Sequence, residues 1–218
     1  MTCKSHFSFR MAGYSISAFS LFIFALSVVQ PAILAQENYL EGVQQKIKEG
    51  NVFVASFDHQ FTDGYTKEQS GSSGRVWLSW GQYRIETEGQ IIVVDGKTSK
   101  VLDTNRNRVI ISEYDSEFDD FAPSKILGGL GEEYRVESIK RRAQREEFIL
   151  MSNDSFSAFE TIEISIDKDL FPREVKALDM GANLIEMKFS SANYQILDDH
   201  FFQLQIPKGA EVIDMRYE

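Results

Sequence analysis

Apolar and polar positions alternate along the chain with two different periods. Over 37–49, ENYLEGVQQKIKE, Leu40, Val43 and Ile47 recur at helical spacing among polar residues, and Gly50-Asn51 follows as a stop. This predicts one amphipathic helix. From Val52 the period drops to two. FVASFDHQF, RVWLSW, YRIETE, QIIVVD, SKVLD and RVIIS succeed one another, divided by Asp63-Gly64, Gly81, Gly89, Asp95-Gly96 and 105–107. Short strands joined by tight turns give this pattern. It breaks between Asp115 and Glu133, where PSKILGGLGEE predicts a short helix from Pro123 to Leu127 ended by glycines. Strand signals return in YRVESI, EEFILM, AFETIEISI, REVKAL, LIEMKF, YQIL and FFQLQI.

Parity within these segments separates two faces. Tyr83, Ile85 and Thr87 share one side of their strand while Arg84, Glu86 and Glu88 share the other, and Ile185, Met187 and Phe189 oppose Glu186 and Lys188. No repeat or low-complexity linker interrupts the series, so a single antiparallel sheet with two helical interruptions is predicted. Its apolar face must be covered by helices, a second sheet or a ligand. Two short helices are few for so many strands, which points to a cavity, although a closed barrel filled by its own side chains satisfies the same pattern.

Composition narrows the setting. Met1 to Ala35 has the parts of a secretory signal: Lys4 and Arg10, then the apolar AFSLFIFALSVV, then QPAILAQE with Ala35 before Gln36. The apolar run is short for a membrane span. A single domain is expected over 36–218, exported as a soluble chain. The one cysteine, Cys3, lies in the leader, leaving no thiol for a disulfide, a metal or a lipid anchor after Ala35. All 33 acidic residues lie beyond Ala35 against 21 basic ones there, a net charge of −12. That balance argues against nucleic acid and against adhesion to anionic lipid.

FVASFDHQFTDG, SGSSGRVWLSWGQYRIE, IIVVDGKTSKVLD and FFQLQIPKGAEVID, in this order, resemble the periplasmic outer-membrane lipoprotein carriers, the LolA-like proteins. The resemblance runs from about Val52 to Asp214 and rests on the ordered spacing of motifs that are individually weak. It implies a mainly β protein with short helices, an incomplete, half-open antiparallel β-barrel with a helical lid over an apolar cavity. By the same resemblance the protein is a periplasmic monomer without cofactor or enzymatic activity that carries lipoprotein acyl chains. Its partners would be an ATP-driven inner-membrane transporter and an outer-membrane acceptor. The acceptor is itself a lipoprotein, so the missing lipid-attachment cysteine favours the carrier. One departure stands out. The family's R-P-x-x-F-R-W-like turn reads S-W-G-Q-Y-R-I here, placing Trp80 where the family has an arginine that holds the lid through hydrogen bonds to helical backbone. Two alternatives remain, a related carrier of another lipid or glycolipid and a non-enzymatic envelope interaction protein with a filled barrel.

The residues alone leave the aromatic wall around Val76 to Asp95 open between core and cavity. The resemblance assigns Tyr83, Ile85, Trp77, Trp80, Ile91 and Val93 to an acyl-chain cavity. Ile126 and Leu127 match the apolar part of the second lid helix, and Met187 is placed on the cavity wall as an adaptable apolar side chain. Trp77 and Trp80 have opposite parity, so a regular strand points only one of them inward. Lys140, Arg141, Arg142 and Arg145 form a basic cluster suited to an acidic partner, or simply a solvated hairpin. No catalytic or metal site is expected. DTNRNRVIISEY begins like a calcium loop but carries Arg108 at the glycine position and Tyr114 at the bidentate position. His59 and His200 have only local acidic neighbours.

Overall fold

The computed structural model describes residues 38–116, 119, 127 and 133–216. The leader expected over 1–35 lies outside the described residues, and Gln36–Glu218 forms a compact unit by itself. Helix α1, Tyr39–Lys48, starts at a capping box: Asn38 Oδ1 accepts from the Glu41 N–H at 2.9 Å, and Asn38 N–H donates back to Glu41. A second anchor comes from far along the chain. Glu146, buried, accepts from the Tyr39 N–H at 2.8 Å and from Arg141 Nε at 2.8 Å, satisfying a first-turn donor that the helix itself cannot. Leu40, Val43 and Ile47 then face the sheet, fully buried.

Twelve strands follow among the described residues: β1 Val52–Thr62, β2 Gln69–Ser79, β3 Gln82–Thr87, β4 Gln90–Val94, β5 Thr98–Asp103, β6 Arg108–Glu113, β7 Tyr134–Arg142, β8 Arg145–Ser152, β9 Phe159–Asp167, β10 Pro172–Asp179, β11 Leu184–Gln195 and β12 Glu211–Asp214. They make one sheet in the order β12-β6-β5-β4-β3-β2-β1-β11-β10-β9-β8-β7. Every pairing is antiparallel except β12 with β6. The sheet ends at β7 and β12 without closing. A single open sheet therefore stands where an incomplete barrel was expected. The second helix, Pro123–Leu127, lies outside the described residues apart from Leu127, which is helical and buried.

Two sequence segments behave differently from their pattern. LIEMKF and the first two residues of YQIL fuse into β11, because Ser191 takes a left-handed backbone (φ 50°) where the register against β1 shifts between Val54 and Ser56. That bulge resets the parity, so Phe189 before it and Tyr194 after it both pack into the same core. FFQLQI is not a strand. A 3-10 helix, Asp199–Phe202, leads instead into an extended segment that crosses the sheet's outer face and ends in β12.

The faces are accordingly unequal. The inner face carries the main core, in which Leu40, Val43 and Ile47 of α1 join one cluster with Phe53, Phe148, Ile164 and Val175. The outer face of β1 to β6 is apolar too, with Val52, Val54, Trp77 and Val93 covered by Phe201, Phe202 and Leu204. The outer face of β8 to β11 is wet. There Lys176 lies 3.3 Å from Glu186 and 3.8 Å from Glu174, a charge ladder across neighbouring strands.

Candidate functional site

The inner face continues past the part that α1 covers. Register aligns Ile85 with Ile92, Ile92 with Val101, Val101 with Ile110 and Ile110 with Ile213, an apolar row crossing five strands. Ile85 is buried, Ile92 and Val101 are half-buried, and Ile110 is 36% exposed. β-Branched residues in direct cross-strand contact make a continuous greasy surface. It leads from the core to the open rim.

Tyr83 stands beside this row and carries the wall's polar handle. Its hydroxyl donates to Asp119 Oδ1 at 3.3 Å, and the Tyr114 hydroxyl donates to Asp119 Oδ2 at 2.8 Å, with the two rings edge to face at 6.3 Å. Asp119 and Leu127, both buried, bring the connection between β6 and β7 onto the inner face at two points. Ile126 lies outside the described residues.

Of the other residues singled out in the sequence, Met187 shares the inner face, opposite His59 in the register of β1 and β11. Trp77, Ile91 and Val93 do not. Pairing of Tyr83 with Val94 and Ile85 with Ile92 puts the even positions of β4 inward, so Val94 and Ile92 flank the tyrosine while Ile91 and Val93 point to the outer face. Trp77 is on that outer face as well, with Arg75 4.9 Å from its ring and Phe201 at 5.3 Å. Arg84 closes this stack over Phe201 at 5.2 Å and donates to the Phe201 carbonyl, so it clamps the C-terminal segment. The parity of β4 could have been read from its register with β3, but the tight turn that sets the register lies in Glu88-Gly89, which permits either frame.

Trp80 belongs to neither wall. It sits 45% exposed in the β2–β3 turn beside Gly81, whose φ of 70° the turn requires, and Lys48 Nζ lies 4.7 Å over its ring. The turn is thus joined to the end of α1 by a cation on an aromatic face.

Burial lowers the pKa of His59 below 6.5. A base that is harder to protonate in the native state than in the unfolded chain loses stability on acidification: the contribution is intact above pH 6.5 and is lost as pH falls through the lowered native value. His59→Gln is expected to flatten that part of the stability profile, measured by urea unfolding between pH 7.5 and pH 5 in a series set around the ordinary histidine value of about 6.5.

The basic cluster is engaged within the chain. Arg141 pairs with Glu146 at 2.8 Å and Arg142 with Glu147 at 3.5 Å. Lys140 and Arg145 line an outer-face groove of about 190 Å³ whose other walls include Glu147, Glu163 and Glu174. Among the described residues there is no group of three or more His, Cys, Asp or Glu placed to hold a metal, and the carboxylate of Asp103, at the start of the calcium-like stretch, is taken up by the N–H groups of Asn105 and Arg106. No described helix is long and apolar enough to cross a membrane.

An open, almost wholly antiparallel sheet carries a helix on its inner face and an apolar row running to its rim. The model of the outer membrane lipoprotein carrier protein LolA family matches residues 48–205, and the chain belongs to that family. Its fold is similar to that of an uncharacterized conserved protein from Thermus thermophilus, at 15% identity and a TM-score of 0.51, over 81% of this chain and 99% of that one. A LolA superfamily protein from Nitrosomonas europaea aligns at 8% identity with a TM-score of 0.43, over 77% of this chain and 99% of the other. No curated protein sequence matches the chain.

Proposed function

We propose that the protein is a periplasmic carrier that takes lipoprotein acyl chains from an ATP-driven inner-membrane transporter and delivers them to an outer-membrane acceptor. The observation that carries this reading is the row Ile85–Ile92–Val101–Ile110–Ile213, which keeps an apolar surface continuous from buried core to open rim. Tyr83, Ile85, Leu127 and Met187 would form the inner end of the cargo wall, and Ile92 and Val94 join it. The connection bearing Asp119 and Leu127 would act as the cover that cargo displaces.

Energetics set the division of labour. Burying a methylene is worth about 0.8 kcal/mol, so one long acyl chain is held in a bilayer by on the order of 10 kcal/mol. A carrier that extracts such cargo unaided would need an equally deep site and could not let go. An energy-driven donor and a partly solvated wall, graded in exposure from Ile85 to Ile110, resolve that conflict. The turn at Trp80, which replaces the family's arginine, favours a second reading with the same chemistry, in which the acyl chains belong to another lipid or a glycolipid.

The test is a release assay. Purified Gln36–Glu218 is added to energised inner-membrane vesicles bearing acylated lipoproteins, and ATP-dependent release into a one-to-one soluble complex is expected. Ile110→Glu, which charges an exposed position near the rim end of the row, should reduce release at least tenfold, whereas Val212→Glu, on the neighbouring solvent-exposed position of β12, should leave it unchanged. Absence of release beside a working carrier, with bound lipid found by native mass spectrometry, would transfer the reading to the second cargo class. Absence of both would leave a protein whose inner face is filled by its own side chains.

A further inference from the structure

Tyr65, Phe156 and Met180 are among the most exposed large apolar residues described, at 94%, 92% and 57%. They are far apart in sequence, yet each occupies a different hairpin tip. Tyr65 is in the β1–β2 turn, Met180 in the β10–β11 turn and Phe156 in the β8–β9 turn. Register places all three turns at one end of the sheet, since Thr62 pairs with Leu184 and Asp179 with Phe159. In the strand order β2-β1-β11-β10-β9-β8 these are consecutive hairpins, spaced about two strand widths, or roughly 10 Å, apart.

Each tip is held in shape by an aspartate that turns its charge back onto the loop. Asp63 Oδ1 accepts from the Tyr65 and Thr66 N–H groups at 2.9 and 2.7 Å, Asp154 Oδ1 from the Phe156 N–H at 2.9 Å, and Asp179 Oδ1 from the Gly181 and Asn183 N–H groups at 2.7 and 2.9 Å. Lys67 likewise folds back, its Nζ donating to the Gly64 carbonyl at 2.6 Å. Two tips are locked together: the Gly64 N–H donates to Asn183 Oδ1 at 2.8 Å, and a Cβ at Gly64 would meet the Ala182 carbonyl oxygen at 2.4 Å. Loops that only needed to be soluble have no use for a large apolar residue fixed outward on each.

We infer that these three tips form a membrane-contact surface that inserts Tyr65, Phe156 and Met180 into the interfacial layer of a neutral, zwitterionic bilayer. The charge balance selects the neutral surface. With 33 acidic against 23 basic residues, and acidic residues at the base of every tip, the protein is repelled by anionic lipid, so contact has to come from apolar side chains entering the headgroup region. Three shallow anchors without an electrostatic term give weak, reversible contact, which suits a molecule that must leave the surface again. This surface lies at the end of the sheet away from the Trp80 turn and is independent of what the inner face carries.

The experiment uses Gln36–Glu218, which contains no cysteine, so single cysteines can be labelled cleanly. Tyr65→Cys, Phe156→Cys and Met180→Cys, each bearing an environment-sensitive fluorophore, are mixed with phosphatidylcholine vesicles free of protein. Ile196→Cys, exposed at the opposite end just beyond β11, is the control. A blue shift at the three tips and none at 196, with co-flotation of the unlabelled protein reduced at least fivefold in Tyr65→Ser/Phe156→Ser/Met180→Ser, is the expected result. Failure of the unlabelled protein to float with the vesicles, equal shifts at 196, or binding unchanged in the triple variant would each overturn the inference. Because the vesicles hold no lipoprotein, the outcome is separate from that of the release assay.

Discussion

Phe53→Ala is expected to lower the stability of the protein by about 3–5 kcal/mol. Phe53 is fully buried near the start of β1, with the Phe189 ring edge to face at 5.5 Å and the Tyr194 ring at 5.9 Å, and its cluster includes the buried residues of α1. β1 is a central strand, bonded to β2 on one side and β11 on the other. Removing the ring opens a cavity whose walls belong to three elements that cannot all move in. Since whole domains are stable by only about 5–15 kcal/mol, the variant should sit near the edge of folding. Urea titration should show a lower midpoint with an unchanged slope. A loss below about 1 kcal/mol, the ordinary cost of a random substitution, would mean that β1 does not carry the core.

Gly74→Ala is the second large effect, and its cause is crowding. A Cβ at Gly74 would lie 2.0 Å from the Glu86 carbonyl oxygen on β3 and 3.2 Å from the Phe57 ring on β1. The first contact is with backbone that is fixed by the β2–β3 ladder, so the strands have to part. Overpacking of this kind costs about 1–3 kcal/mol. Ser73→Ala, on the exposed neighbouring position, should be near neutral, and equal melting temperatures for the two variants would show that the strands yield freely.

Much of this architecture was legible in the pattern of residues. The helical spacing of Leu40, Val43 and Ile47 and the period-two runs from Val52 to Ser112 correspond to α1 and β1 to β6, and the parity of Tyr83 with Ile85 and of Ile185 with Met187 matches the inner face. Other features were hidden for physical reasons. The first half of β2, Gln69–Gly74, is built from small polar residues whose strand is imposed by pairing with β1 rather than by alternation. β12 is four residues long, and its partner β6 supplies the order. The outer apolar face escaped because the chain covers it with its own C-terminal segment, so Trp77 and Val93 read as candidates for a cavity when they pack against Phe201 and Phe202. The row ending at Ile213 needed the register of four ladders before its members could be seen to touch.

The two free edges of the sheet have a mechanical meaning. A closed barrel has its radius dictated by strand number and shear, and widening it means breaking a complete ladder. Here β7 and β12 pair with no further strand among the described residues, so no closure condition fixes the radius. Neighbouring strands tolerate relative rotations from about 10° to 35°, and a small change in each adds up across the sheet. The cross-section can therefore swell or tighten while every interstrand hydrogen bond stays made. For the carrier proposed above, such a sheet would be sized by what it holds, so cargo with one acyl chain or with several would meet the same wall at different widths.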